Sequence, residues 1–69
     1  MSDKVYKKID VVGTSSMNLE DAIQRAVTKS SESLRNMSWF EVGEIRGRIE
    51  EDTVSQWQVT VTIGLAVED

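Results

Sequence analysis

Only one stretch of this chain carries a helical period, and runs that alternate lie on both sides of it. Asn18 is a favourable N-cap residue, and Asp21 stands where a capping-box acid belongs. Leu19, Ala22, Ile23, Ala26, Val27, Leu34 and Met37 then recur at helical spacing, with Ser30 as the polar member of the stripe. Glu20, Asp21, Gln24, Arg25, Thr28, Lys29, Glu32 and Arg35 fill the opposite face. The spacing predicts one amphipathic helix over 19–36. One helix covers one face of one sheet, so any other apolar surface must find a different partner.

The alternating runs predict three strands. In residues 4–12, Val5, Ile9 and Val11 share a face with Lys7, while Tyr6, Lys8, Asp10 and Val12 share the other; Gly13 is expected to end the run. Residues 38–50 form a second strand, residues 51–53 a polar turn, and residues 54–67 a third strand. In the last of these, Val59, Val61, Ile63, Leu65 and Val67 alternate with Gln58, Thr60, Thr62, Gly64 and Ala66. The expected fold is α+β: a β-α-β-β order, with a three-stranded antiparallel sheet packed on the helix as a single domain, 1–69.

The chain has 69 residues and neither cysteine nor histidine. A chain this short struggles to offset roughly 1.5 kcal/mol of ordering per residue by burial alone. Disulfides and thiolate or imidazole metal sites are excluded, and so is the commonest general base. Association with copies of itself is the remaining support. The net charge of −4 carries no dense basic patch of the kind nucleic acids require. No apolar run is long enough to span a membrane. The expected location is the cytoplasm.

Within "NMSWFEVGEIRGRIEE", residues 36–51, Trp39 sits beside Phe40. With Phe40 and Val42 facing the helix, Trp39 and Gln58 face the uncovered side, because strand neighbours alternate. Two roles fit Trp39 there: filling a subunit interface, or stacking on a planar ligand. A tight turn at Glu51 and Asp52 places Trp39 opposite Gly64 and Gln58 opposite Ile45, unless a bulge near Gly43 shifts the register. Trp39 and Gln58 then lie roughly 20 Å apart at strand rise. A site that uses both must be built between chains.

The strings "VYKKIDVVGTS", "WFEVGEIRGRI" and "QVTVTIGLAVED", around one helix, resemble the dodecin family of small flavin-binding proteins over nearly the whole chain. The resemblance implies a hollow homododecamer of cubic symmetry, with flavins bound in pairs at two-fold interfaces. It implies that Trp39 stacks on the flavin and that Gln58 meets the ring edge. It places Arg46 near the FMN phosphate or in an intersubunit ion pair. It also implies a role in flavin storage, with buffering and quenching of flavin photochemistry rather than catalysis.

The chain departs from the family's usual pattern in places. Thr62 stands where lysine is frequent, and Leu65-Ala66 where phenylalanine and a basic residue are usual. Arg48 offers a compensating charge. FMN is the expected cofactor, with riboflavin as the alternative. A different reading is a shell for another cofactor such as coenzyme A, or a purely structural or ion-binding assembly.

Overall fold

The computed structural model describes residues 3–67. Glu68 and Asp69, at the end of the third matched string, lie outside the described residues. The elements are β1 (Tyr6–Ser15), α1 (Leu19–Ser30), β2 (Met37–Glu50) and β3 (Thr53–Ala66). The sheet is antiparallel with strand order β1-β3-β2, so the last strand is the central one.

The core lies between α1 and the centre of the sheet. Val59, Val61, Ile63 and Leu65 of β3 are buried against Ala22 and Ala26 of α1. Ile9, Val11, Leu19, Ile23, Leu34 and Met37 pack around them. Each fully buried Val or Ile contributes about 1.5–3 kcal/mol. The alternation read from the sequence thus puts the expected face of β3 under the helix.

β1 runs three residues beyond its expected end. Gly13 does not terminate it; it pairs with Val59 inside the sheet. A Cβ at Gly13 would overlap the carbonyl oxygen of Ala22 and crowd the Ala26 methyl. The glycine is therefore a site of close helix–strand approach, and the two alanines are its counterpart on the helix. Ser15, at the end of β1, is buried and donates its hydroxyl to Asp21 at 2.7 Å. The same Oγ accepts from the Met17 and Asn18 amides at 2.9 and 3.4 Å.

The helix starts as expected, with Asn18 Oδ1 accepting from the Asp21 amide at 2.7 Å. The capping box does not close. Asp21 turns to Ser15 and Arg25, and Ser15 takes the Asn18 amide in its place. The helix also ends at Ser30 rather than 36. Glu32 and Ser33 donate to carbonyls three residues back, so the last turn tightens. Three serines in this stretch compete for the backbone, as Ser31 Oγ does by donating to the Thr28 carbonyl. Asn36 then reverses the chain at φ 62°. Leu34 and Met37 reach the core from a connecting segment and a strand instead of a helix.

α1 packs on β1 and β3, and not on β2. Phe40, Val42 and Ile45 stand opposite Ile63, Val61 and Val59, on the helix side of the sheet. They remain 51%, 41% and 51% exposed. The expectation that the helix covers one whole sheet face is corrected: it covers two strands of three.

The β2–β3 hairpin turns through Glu51 and Asp52, at φ 51° and 64°, with Glu50 paired to Thr53. Two consecutive positive φ values make the two-residue turn that suits strand twist, and glycine or asparagine fit it best. Asp52→Gly should raise stability by about 1 kcal/mol, because left-handed backbone costs a non-glycine residue that much. Gly13→Val should lower it by about 1–3 kcal/mol through overpacking. Urea unfolding at fixed protein concentration measures both. A stabilised Gly13→Val variant would refute the close-approach account.

Candidate functional site

The face of the sheet opposite α1 carries all four residues singled out from the sequence. β3 contributes Gln56, Gln58, Thr60, Thr62, Gly64 and Ala66 to it. β1 adds Tyr6, Lys8 and Asp10, which pair with Ala66, Gly64 and Thr62. β2 adds Trp39, Glu41, Arg46 and Arg48, which pair with Gly64, Thr62, Gln58 and Gln56.

Trp39 stands opposite Gly64, as the turn register requires. Its indole lies over that glycine. Gly64 is buried although its open side faces away from the helix, and a Cβ there would overlap Trp39 Cε2, Cζ2 and Cδ2. The Tyr6 ring meets the indole edge to face, with centroids 5.1 Å apart and planes at 69°. The indole Nε1 donates to Glu41 Oε2 at 2.9 Å. Lys8 Nζ lies 3.3 Å from both oxygens of that carboxylate. Trp39 as a whole stays 38% exposed.

Gln58 lies opposite Arg46, and not Ile45 as an unbroken register gives. The pairing slips by one residue between Val42 and Ile45, around Gly43, and slips back between Arg48 and Ile49. The shifted segment between the two slips puts an arginine where an isoleucine was expected. Arg46 Nε donates to Gln58 Oε1 at 2.8 Å, and Gln58 Nε2 donates to Gln56 Oε1 at 2.8 Å. The Glu44 carboxylate lies 3.7 Å from Arg46. Arg48 sits two residues further along the same strand, opposite Gln56.

The four residues therefore form two groups. Arg46, Gln58 and Arg48 gather around Gln56, and Trp39 stands apart with Tyr6, Lys8, Glu41 and Gly64. Six residues of β3 separate the groups, roughly 20 Å at strand rise. Of the partners of Trp39, Gly64 is the one the turn register placed opposite it from the sequence; Tyr6, Lys8 and Glu41 were not picked out. For Glu41 the signal available was its spacing, two residues on and so on the same face.

Chemically, the exposed indole offers a π-face to a planar ring. Gln58 carries a donor and an acceptor, both engaged within the chain, that a mixed polar ring edge could take over. Two arginines suit a phosphate. Among the described residues no cluster of three or more acidic, histidine or cysteine side chains is gathered for a metal, and no helix is long and apolar enough to cross a membrane.

The Glu41 pKa is lowered, first by the indole hydrogen bond and then by Lys8. The charged form is thus favoured in the folded state. The contact is complete above the ordinary value of 4.5 and is lost as pH falls through the depressed one. Near-ultraviolet circular dichroism, with Trp39→Phe as the blank, should show the Trp39 signal unchanged down to the ordinary carboxyl range and altered below it. A midpoint above that range would contradict the assignment.

A scan against family models matches residues 5–68 to the family described as Dodecin. A dodecin from Thermus thermophilus is 48% identical over 66 residues, which is 96% of each chain. The crystal structure of an arginine-to-alanine mutant of the T. thermophilus dodecin superposes with TM-score 0.92 at 49% identity, covering 97% of this chain and 98% of that one. The dodecin of Streptomyces coelicolor superposes with TM-score 0.93 at 42% identity, covering 100% and 99%.

Proposed function

The chain belongs to the dodecin family, and from that premise we propose that it stores and buffers flavin, binding FMN or riboflavin against Trp39 at contacts between copies of itself. The observation that carries this reading is the Trp39 indole, laid over Gly64 on the sheet face that no helix covers.

An oxidised isoalloxazine is planar and electron-poor, and the indole is electron-rich. Offset stacking of aromatic rings adds about 0.5–1.5 kcal/mol beyond area burial. Gln58 reads the pyrimidine edge of the ring. It lies too far along the hairpin to serve the Trp39 of its own chain, so the two come from different copies. Arg46 and Arg48, beside Gln58, favour FMN over riboflavin by offering its phosphate two guanidinium groups. Arg46 also pairs with Glu44 within the chain, so it has a structural role in either case.

Two further features support assembly into the family's closed dodecamer. Phe40, Val42 and Ile45 form an exposed apolar row on the helix side of β2. β1 and β2 both end the sheet as edge strands, and natural proteins cover or pair such edges. A ring enclosed between tryptophans of two copies is closed to a substrate, which favours storage over catalysis.

Titration of the purified protein into riboflavin, and separately into FMN, tests the reading. Flavin fluorescence should be quenched and saturate near one flavin per chain. Trp39→Ala should restore the fluorescence and weaken binding by about tenfold, from the lost stacking energy, at unchanged particle size. Arg46→Ala should weaken FMN more than riboflavin. Absence of quenching by wild-type protein with either flavin would sink the storage function.

A further inference from the structure

We propose that Gly64 and Glu41 are positioning residues for the ligand stack: Gly64 sets the height of the Trp39 indole above the sheet, and Glu41 sets its rotation. The inference deepens the flavin reading above and rests on it for the identity of the ligand.

All three strands meet at the indole. β3 supplies the floor. A Cβ at Gly64 would overlap the two ring-fusion atoms of the indole and the neighbouring Cζ2, so the fusion edge of the six-membered ring rests on the glycine backbone. Any other residue there would lift or tilt the ring. β2 supplies the side chain and the acceptor for its N–H, because Trp39 and Glu41 are two residues apart and share a face. β1 supplies Lys8, which holds the Glu41 carboxylate, and Tyr6, which abuts the indole.

The physical consequence is a platform with one usable face. A tryptophan on an edge strand is ordinarily free to change rotamer, and each change moves its π-face by several ångströms. Here the inner face is closed by Gly64 and the N–H is tied. The outward face is left at a fixed height and direction, which is the preorganisation that spares a ligand the entropy of ordering its own wall. Such a face accepts a flat heteroaromatic ring and gives no purchase to a puckered or branched one. One face per chain also sets the stoichiometry at one ring per chain. Glu41 acts through Trp39 and is not itself assigned a ligand contact.

The test uses the full-length assembled protein with riboflavin as probe. Wild type is compared with Gly64→Ala, Glu41→Ala and Glu41→Gln. Three readouts are taken: particle mass by light scattering, the ligand-free near-ultraviolet dichroism of Trp39, and riboflavin affinity with residual fluorescence at saturation. Gly64→Ala should keep the particle mass, alter the Trp39 dichroism and weaken riboflavin by about tenfold, the loss of one stacking contact. Glu41→Ala should do the same to a smaller degree. Glu41→Gln should restore the dichroism and the affinity, because its amide oxygen still accepts from the indole.

Wild-type dichroism and affinity in both Gly64→Ala and Glu41→Ala would overturn the proposal. If Gly64→Ala does not assemble, the Glu41 pair decides alone: a loss in alanine rescued by glutamine supports the role, and no loss overturns it. If wild type fails to quench riboflavin, the flavin reading falls separately. The ligand-free dichroism then decides whether these residues position the indole: a change in the alanine variants, reversed by glutamine, supports the role, and an unchanged signal overturns it.

Discussion

A helix of twelve residues covers two strands, and this sheet has three. The close seat of α1 on β1 fixes which two. Gly13 lets the backbone of α1 approach at Ala22 and Ala26, and no side chain longer than a methyl separates helix from strand there. With the helix drawn toward β1, its stripe spans β1 and β3 and stops short of β2. Every residue of β2 after Met37 is exposed in the single chain. The apolar row of β2 and the polar face behind it are thus both open, and the chain, 56 Å long and 13 Å thin, has little core of its own. A single chain of this shape is half of an interface looking for its other half.

The open face is organised by register more than by composition. Counted from the turn, the slip between Arg48 and Ile49 moves every residue of β2 from Ile45 to Arg48 by one position relative to β3. In the unbroken turn register Gln58 would stand opposite Ile45, and Arg46 would point to the other face. With the slip, Arg46 and Gln58 share a face and bond at 2.8 Å. The second slip, between Val42 and Ile45 around Gly43, restores the register that the Glu51-Asp52 turn sets, so Trp39 still stands opposite Gly64. The bulged segment is therefore bounded on both sides, and it holds the residues proposed to meet the polar end of a ligand.

At the other end of the hairpin, Trp39 and Gly64 solve a packing problem jointly. A glycine in a central strand leaves a gap and a flexible backbone. The indole fills the gap and buries the glycine, and in return the glycine gives the ring a flat seat. Glu41 and Lys8 then link the edge strand β2 to β1 across the central strand by a charged pair laid over it. Stability and the proposed binding surface are here the same set of contacts.

The periodicities were legible in the sequence because they are local. Alternation in 54–67 and the helical stripe from Leu19 assign elements and faces from neighbours alone, and the turn register places Trp39 opposite Gly64. The end of the helix was not legible. Its apolar spacing continues to Met37, but three serines and the positive φ of Asn36 end it at Ser30, so Leu34 and Met37 keep their core positions on a different backbone. Gly13 read as a break because a glycine in a strand and a glycine after one look alike until the helix above it is placed. Strand order, the offset of the helix from β2 and the bulge at Gly43 depend on pairings such as Tyr6 with Ala66, sixty residues apart. A period fixes which face a residue takes. Which surface comes to lie against that face is decided only when distant segments compete for it in three dimensions.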